Sequence, residues 1–242
     1  MRLERTGTTG RILFVTGTDT GVGKTLLTAM LLHSLRSSGV NALALKPFCS
    51  GSRSDVQLLQ TLQPGLLSDS EVNPFFFRSP IAPLVAARRI ALRVTLSQVI
   101  EHLIMMRVRA EVVLVEGAGG LLTPLGEGFS LLEVVAKFTD SRTVIVTRNR
   151  LGAINQARLT VDRLKQAGVN AVEVVLMSAG DSDPSMLTNP QTIRELIEPV
   201  AVRVVPFLGR SASRPTVLRG KCKNVKKTLA HLMEFAMNSA RS

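Results

Sequence analysis

The chain has 242 residues, 45% of them hydrophobic, which is ample for a core, and it carries 30 Lys and Arg against 18 Asp and Glu. Its two cysteines are too few for a disulfide framework or a cysteine-ligated zinc site, and no apolar run approaches the roughly twenty residues of a membrane span. The net charge of +12 is scattered apart from Arg219, Lys221, Lys223, Lys226 and Lys227, and without Trp or Tyr to stack on bases it reads as a solvated face in preference to a nucleic-acid site, and no membrane partner is expected.

Residues 1–10 read as a loose tail before a single domain. Met1 to Gly7 has no signal-peptide core, so a cytoplasmic protein is expected. The apolar run Ile12-Leu13-Phe14 predicts a strand, and Leu26 to Leu32 predicts a helix. Between them, Val15-Thr16-Gly17-Thr18-Asp19-Thr20-Gly21-Val22-Gly23-Lys24-Thr25 is a glycine-rich phosphate loop. Its N–H groups and the helix N-terminus suit an oligophosphate, Lys24 reaches the terminal phosphates and Thr25 offers a hydroxyl to Mg2+. Its first glycine, Gly17, stands one place early, with Thr18 at the usual position.

Val40 to Leu45 predicts the next strand, ending at Lys46-Pro47-Phe48-Cys49-Ser50-Gly51-Ser52-Arg53-Ser54-Asp55. Lys46 fits either an electrostatic role at a transferring phosphoryl group or a snorkelling surface lysine. Asp55 fits either a metal shell or a helix N-cap. A helix follows over Asp55 to Leu62, then an irregular excursion from Gln63 to Pro83 with four prolines, either a substrate wall or a plain connection. After a helix over Leu96 to Val108, the run Val112 to Val115 ends in Glu116, followed by Gly117-Ala118-Gly119-Gly120, the pattern of a metal-binding acid beside a phosphate loop. Helices over Leu131 to Phe138, Ala153 to Ala167 and Thr192 to Glu198 alternate with strands over Thr143 to Thr147, Ala171 to Met177 and Val200 to Val205. Strand alternating with helix implies an α/β fold, a parallel β-sheet flanked by helices, with ligands at the carboxyl ends of the strands.

The phosphate loop, the Lys46-Pro47 segment ending in Ser50-Gly51 and Val115-Glu116-Gly117-Ala118-Gly119-Gly120 together resemble the dethiobiotin synthetases, as do Val72-Asn73-Pro74-Phe75, Leu151-Gly152-Ala153-Ile154-Asn155 and Val205-Pro206-Phe207-Leu208-Gly209. The resemblance covers roughly residues 11–209. It implies a P-loop nucleoside triphosphate hydrolase fold and a homodimer that closes 7,8-diaminopelargonic acid with CO2 into a cyclic urea, using ATP and Mg2+. By the same resemblance Lys46, Lys24 and Thr20 are catalytic, and Thr25, Asp55 and Glu116 hold the metal. Gly21, Val22, Gly23, Lys24, Thr25, Asp55, Glu116, Gly117, Ala118, Gly119, Pro206, Phe207 and Leu208 would bind ATP. Thr20, Lys46 and Ser50, with Leu151, Gly152 and Asn155 of a partner, would bind substrate. One departure is Met177, where the family carries an asparagine facing adenine. The segment after Gly209 lacks the resemblance, and Arg210 to Arg214 reads as a loose basic loop. Two other readings share the fold. A partition ATPase is disfavoured because no second lysine lies between Met1 and Lys24, and a binding module without ligase activity is disfavoured by the complete set of polar site residues.

Overall fold

The computed structural model describes residues 9–180 and 183–238, so the expected tail over 1–10 lies, but for its last two residues, outside the described residues. In chain order the first half comprises β1 (Arg11–Gly17), α1 (Lys24–Ser37), β2 (Ala42–Leu45), β3 (Phe48–Ser50), α2 (Ser54–Leu62), α3 (Asp69–Val72), β4 (Phe75–Phe77), α4 (Pro83–Arg89), α5 (Leu96–Arg107) and β5 (Val112–Glu116). A hairpin of β6 (Pro124–Gly126) and β7 (Phe129–Ser130) leads into α6 (Leu131–Val135). There follow β8 (Arg142–Arg148), α7 (Ala153–Gln166), β9 (Val172–Met177), α8 (Asn189–Leu196), β10 (Ala201–Val205), α9 (Pro215–Cys222) and α10 (Lys226–Met237).

Apolar residues on successive strand positions point to opposite faces, and here both faces are buried. Ile12, Phe14, Val113 and Val115 join a core beneath α5, α6, α7 and α8, whereas Leu13, Val15, Val112 and Leu114 join another beneath α1, α9 and α10. That two-sided burial gives a six-stranded, all-parallel sheet in the order β10-β9-β8-β1-β5-β2. β1 is flanked by β5, reached from one side, and β8, reached from the other, so the chain reverses its winding at β1. In sheets of this kind that reversal marks where ligands bind, here the carboxyl end of β1, where the phosphate loop begins. Edge strand β2 is shielded by Gln63, whose amide accepts from Ala44 N–H at 2.9 Å and donates to Ala44 C=O at 2.8 Å.

Two expectations need correction. The Gln63-to-Pro83 excursion is not irregular throughout: Ser68 and Glu71 form a capping box that starts α3, and Phe75–Phe77 forms β4, paired in parallel with β3. The stretch Arg210 to Arg214 is no loose loop either, since Ala212 is buried and Arg214 N–H closes a turn on Ser211 C=O before α9. Among the described residues, no helix is long and apolar enough to cross a membrane.

Candidate active site

Between β1 and α1 the backbone must turn tightly while presenting N–H groups, and glycine permits it. Gly21 has φ 72° and Gly23 φ 105°, the left-handed region that side chains disfavour. Gly17 is required for a different reason: a Cβ there would lie 2.9 Å from Lys24 Nζ and from Val22 Cγ2. The early glycine is thus where the lysine folds back over the loop. Lys24 Nζ donates to Asp19 C=O and Gly119 C=O, both at 2.7 Å, closing the cradle between two loops. Burial pushes the Lys24 pKa down to about 8, with Glu116 opposing, a desolvation cost that a bound anion would offset. Thr18 N–H bonds Val146 C=O, and its hydroxyl bonds Thr147 Oγ1 at 2.9 Å, anchoring the loop to β8. Val22 packs into the core, leaving its backbone to the loop. Thr20 stands exposed at the tip, its N–H donating to Asp19 Oδ1.

Three elements converge beside the cradle. β5 ends on Glu116, which is fully buried, and a carboxylate there needs partners. Thr25 of α1 donates to Glu116 Oε1 at 2.6 Å, and Lys46, following β2, reaches the same oxygen at 2.5 Å. Lys46 Nζ also contacts Asp55 Oδ2 of α2 at 2.8 Å. Burial alone would lower the Lys46 pKa, but Glu116 and Asp55 outweigh it and hold the ammonium above its ordinary range. The snorkelling reading of Lys46 is thereby corrected: the side chain points inward. Glu116 Oε2 is buried with no hydrogen-bond partner. An orphaned carboxylate oxygen beside a hydroxyl and a second carboxylate is a hard-oxygen donor set, suited to a cation that completes its shell with phosphates and water.

Gly119 has φ 65°, and a Cβ would lie 2.4 Å from Thr123 Oγ1, which accepts from Gly120 N–H at 2.9 Å. This fixes the Gly117-Ala118-Gly119 wall against the phosphate loop, where Gly117 N–H donates to Val15 C=O at 3.0 Å. Ser50 ends β3 with its Oγ buried and unpartnered. On the other flank, Met177 ends β9 and packs on the loop, 3.1 Å from where a Gly23 Cβ would sit. Pro206 and Phe207 form an exposed lip after β10, with the Phe207 ring over Gly180, while Leu208 turns into the core.

Leu151, Gly152 and Asn155 are exposed where α7 begins, after β8, and Gly152 caps the helix at φ 90°. The Leu151 N–H already donates to Asp183 Oδ2 at 2.8 Å, so that amide of the expected anion site is satisfied by the chain's own carboxylate. Sequence reasoning gave no role to Asn73 or Thr123. Asn73 sat in a noted motif, Val72-Asn73-Pro74-Phe75, whereas nothing in the sequence marks Thr123 as the brace of the glycine wall.

A family profile described as an AAA domain matches residues 11–214. The chain is 38% identical over 202 residues to the ATP-dependent dethiobiotin synthetase BioD of Bacillus licheniformis, covering 81% of this chain and 85% of the relative. It is 37% identical over 235 residues to the enzyme of the same name from Bacillus subtilis, covering 94% and 95%. The corresponding protein of Akkermansia muciniphila is 36% identical over 200 residues, covering 82% and 91%. The fold resembles the MinD cell division protein of Aquifex aeolicus, with a TM-score of 0.62, 16% identity and coverage of 93% and 98%, a likeness of architecture alone.

Proposed function

The chain belongs to the ATP-dependent dethiobiotin synthetase family, and from that premise we propose how its own residues carry the reaction. It is an ATP-dependent cyclo-ligase of biotin biosynthesis, joining CO2 to 7,8-diaminopelargonic acid to give dethiobiotin, ADP and phosphate. One substrate amine attacks CO2 and loses a proton, giving a carbamate. A carbamate oxygen takes the γ-phosphoryl group as ADP leaves, and the second amine then displaces phosphate and closes the ring. Two anions must meet, so the chain's task is positioning and charge stabilisation.

Lys24 binds the β- and γ-phosphates once nucleotide displaces its two loop carbonyls, and Gly21, Val22, Gly23 and Thr25 cradle them with backbone N–H groups. Lys46 stabilises the carbamate and the migrating phosphoryl group. The observation that carries this assignment is its buried ion pair with Glu116, joined by a second contact to the more exposed Asp55, which hold the ammonium beside the phosphate loop. Thr20 and Ser50 orient carbamate and diamine by hydrogen bonds, the unpartnered Ser50 Oγ supporting that role. Thr25, Asp55 and Glu116 would hold Mg2+, which supplies electrostatic neutralisation of the phosphates when bound. One domain serves the whole reaction, in the cytoplasm.

We further propose that the enzyme is a homodimer in which Leu151, Gly152 and Asn155 of each chain take the substrate carboxylate bound at the other's phosphate loop. The exposed Leu151 and Asn155 and the lack of a side-chain cap at Gly152 support this, with the substrate carboxylate taking the place of Asp183 at the Leu151 N–H. Sedimentation is expected to give twice the 26.1 kDa chain mass. Mixing Lys46→Ala with Asn155→Ala chains is expected to restore activity through heterodimers that hold one intact site. A fully active monomer would refute the arrangement.

Met177 carries an expectation for base choice. Its thioether packs on Gly23 and offers no paired donor and acceptor to adenine. ATP, CTP, GTP and UTP should therefore support ligation with kcat/KM values within about tenfold of one another, since phosphate contacts ignore the base. An ATP preference above about a hundredfold would show that other groups read the ring.

A further inference from the structure

We propose that Asn73 is a positioning residue for Lys46, its side-chain amide fixing the backbone corner from which the ammonium reaches the reacting groups. The proposal rests on the role given to Lys46 above. Lys46 and Pro47 form the corner where the chain leaves the main sheet at β2 and enters the small one at β3. Lys46 and Pro47 lie outside both strands, and the small sheet reaches the corner at the Pro47 carbonyl, through Phe75 of β4. The segment just before β4 holds the rest. Lys46 N–H donates to Val72 C=O at 2.9 Å, and Phe75 N–H donates to Pro47 C=O at 3.0 Å. Between these two bonds, Asn73 Nδ2 donates to Lys46 C=O at 2.8 Å and to Pro47 C=O at 3.2 Å. One side chain thus clamps both carbonyls of the corner.

The clamp is held firmly. Asn73 is 3% exposed, and its own N–H donates to Asp69 C=O at 2.8 Å, the first residue of capping-boxed α3. Turning the amide over would set its oxygen against two carbonyl oxygens, so hydrogen bonding fixes its orientation. Asn73 Oδ1 consequently stays buried with no partner. A buried acceptor left unsatisfied is a liability for stability alone, and the double donation to the lysine's own corner is what the amide provides in exchange. A displacement of about 1 Å at a reacting centre costs up to a hundredfold in rate, so a clamp on the backbone of Lys46 has catalytic weight.

The test is a double-mutant cycle in the full-length enzyme, with Asn73→Asp, Asn73→Ser and Asn73→Ala each made alone and with Lys46→Ala. Asn73→Asp keeps the shape but turns an acceptor toward the two carbonyls, whereas Asn73→Ser retains a donor and serves should the aspartate variant not fold. Alone, Asn73→Asp and Asn73→Ala should lower kcat by about ten- to a hundredfold with KM for MgATP within about threefold. In the Lys46→Ala background the same changes should lower the residual kcat by less than about twofold, because no lysine remains to be positioned. A purely structural Asn73 would lower kcat by the same factor in both backgrounds, and that result overturns the inference. So does an Asn73→Ala enzyme within threefold of wild type. Near-normal activity in Lys46→Ala itself would instead sink the role of Lys46, an outcome readable separately from the Asn73 variants.

Discussion

Lys46→Ala should lower kcat for ligation by about a hundred- to a thousandfold while ATP binding persists. Lys46 is the cation at the corner between β2 and β3, in direct ion pairs with Glu116 and Asp55, whereas Lys24 bonds the carbonyls of Asp19 and Gly119. Removing one preorganised charge of this kind typically costs about 2.7–4 kcal/mol of transition-state stabilisation. The phosphate loop and Lys24 are untouched, so nucleotide affinity is retained. Glu116 loses a counter-ion, however, and a buried carboxylate without one destabilises the fold. Activity is therefore to be measured at a temperature where melting curves find the variant folded, with ATP stoichiometry counting competent sites. Lys46→Gln, which keeps a donor toward Glu116, should be nearly as inactive and more stable than the alanine variant. Activity within about threefold of wild type for either would remove Lys46 from the reaction.

Glu116→Gln should strike both stability and metal use. The amide keeps an oxygen for Thr25 but cannot neutralise Lys46, leaving Asp55, whose side chain is 43% exposed, as the lysine's remaining carboxylate partner. Breaking a fully buried pair costs about 3–5 kcal/mol, and Asp55 makes the loss here smaller. At about 2–4 °C per kcal/mol for a chain of this size, the melting temperature should fall by several degrees. An amide is also a neutral and poorer ligand for a hard cation. MgATP affinity should fall about tenfold or more, whereas ATP affinity in EDTA changes little. Calorimetry with and without metal separates the two, and equal losses would place Glu116 outside the metal shell.

The parts legible in the sequence were those governed by local pattern. Apolar runs such as Val112 to Val115 could be read as two-faced strands because they are short and end at charged or glycine residues. The phosphate loop declared itself through its glycines. What the sequence left open was direction. Nothing local distinguishes a lysine that snorkels outward from one that turns inward, and only the juxtaposition of β2, β5 and α2 decides it for Lys46. The excursion over 63–83 hid its order for a related reason: a four-residue helix and a three-residue strand carry too little periodicity to be seen, and they are stabilised by the corner they brace. Gly17 was legible as an irregularity, but its cause, the return of Lys24 Nζ over the loop, is a contact across seven residues. The tail helices α9 and α10 were missed because lysines and arginines in their turns masked the apolar faces of Leu218, Leu229 and Leu232, which pack on α1.

The central claim is that one charge cluster couples ATP cleavage to carbamate activation. Its most direct measurement is a single turnover of purified enzyme with MgATP, diaminopelargonic acid and isotopically labelled bicarbonate. The account predicts labelled dethiobiotin with one ADP formed per product, and ADP release that depends on the diamine. ATP cleaved at the same rate without diamine, with no label in a cyclic urea, would contradict it.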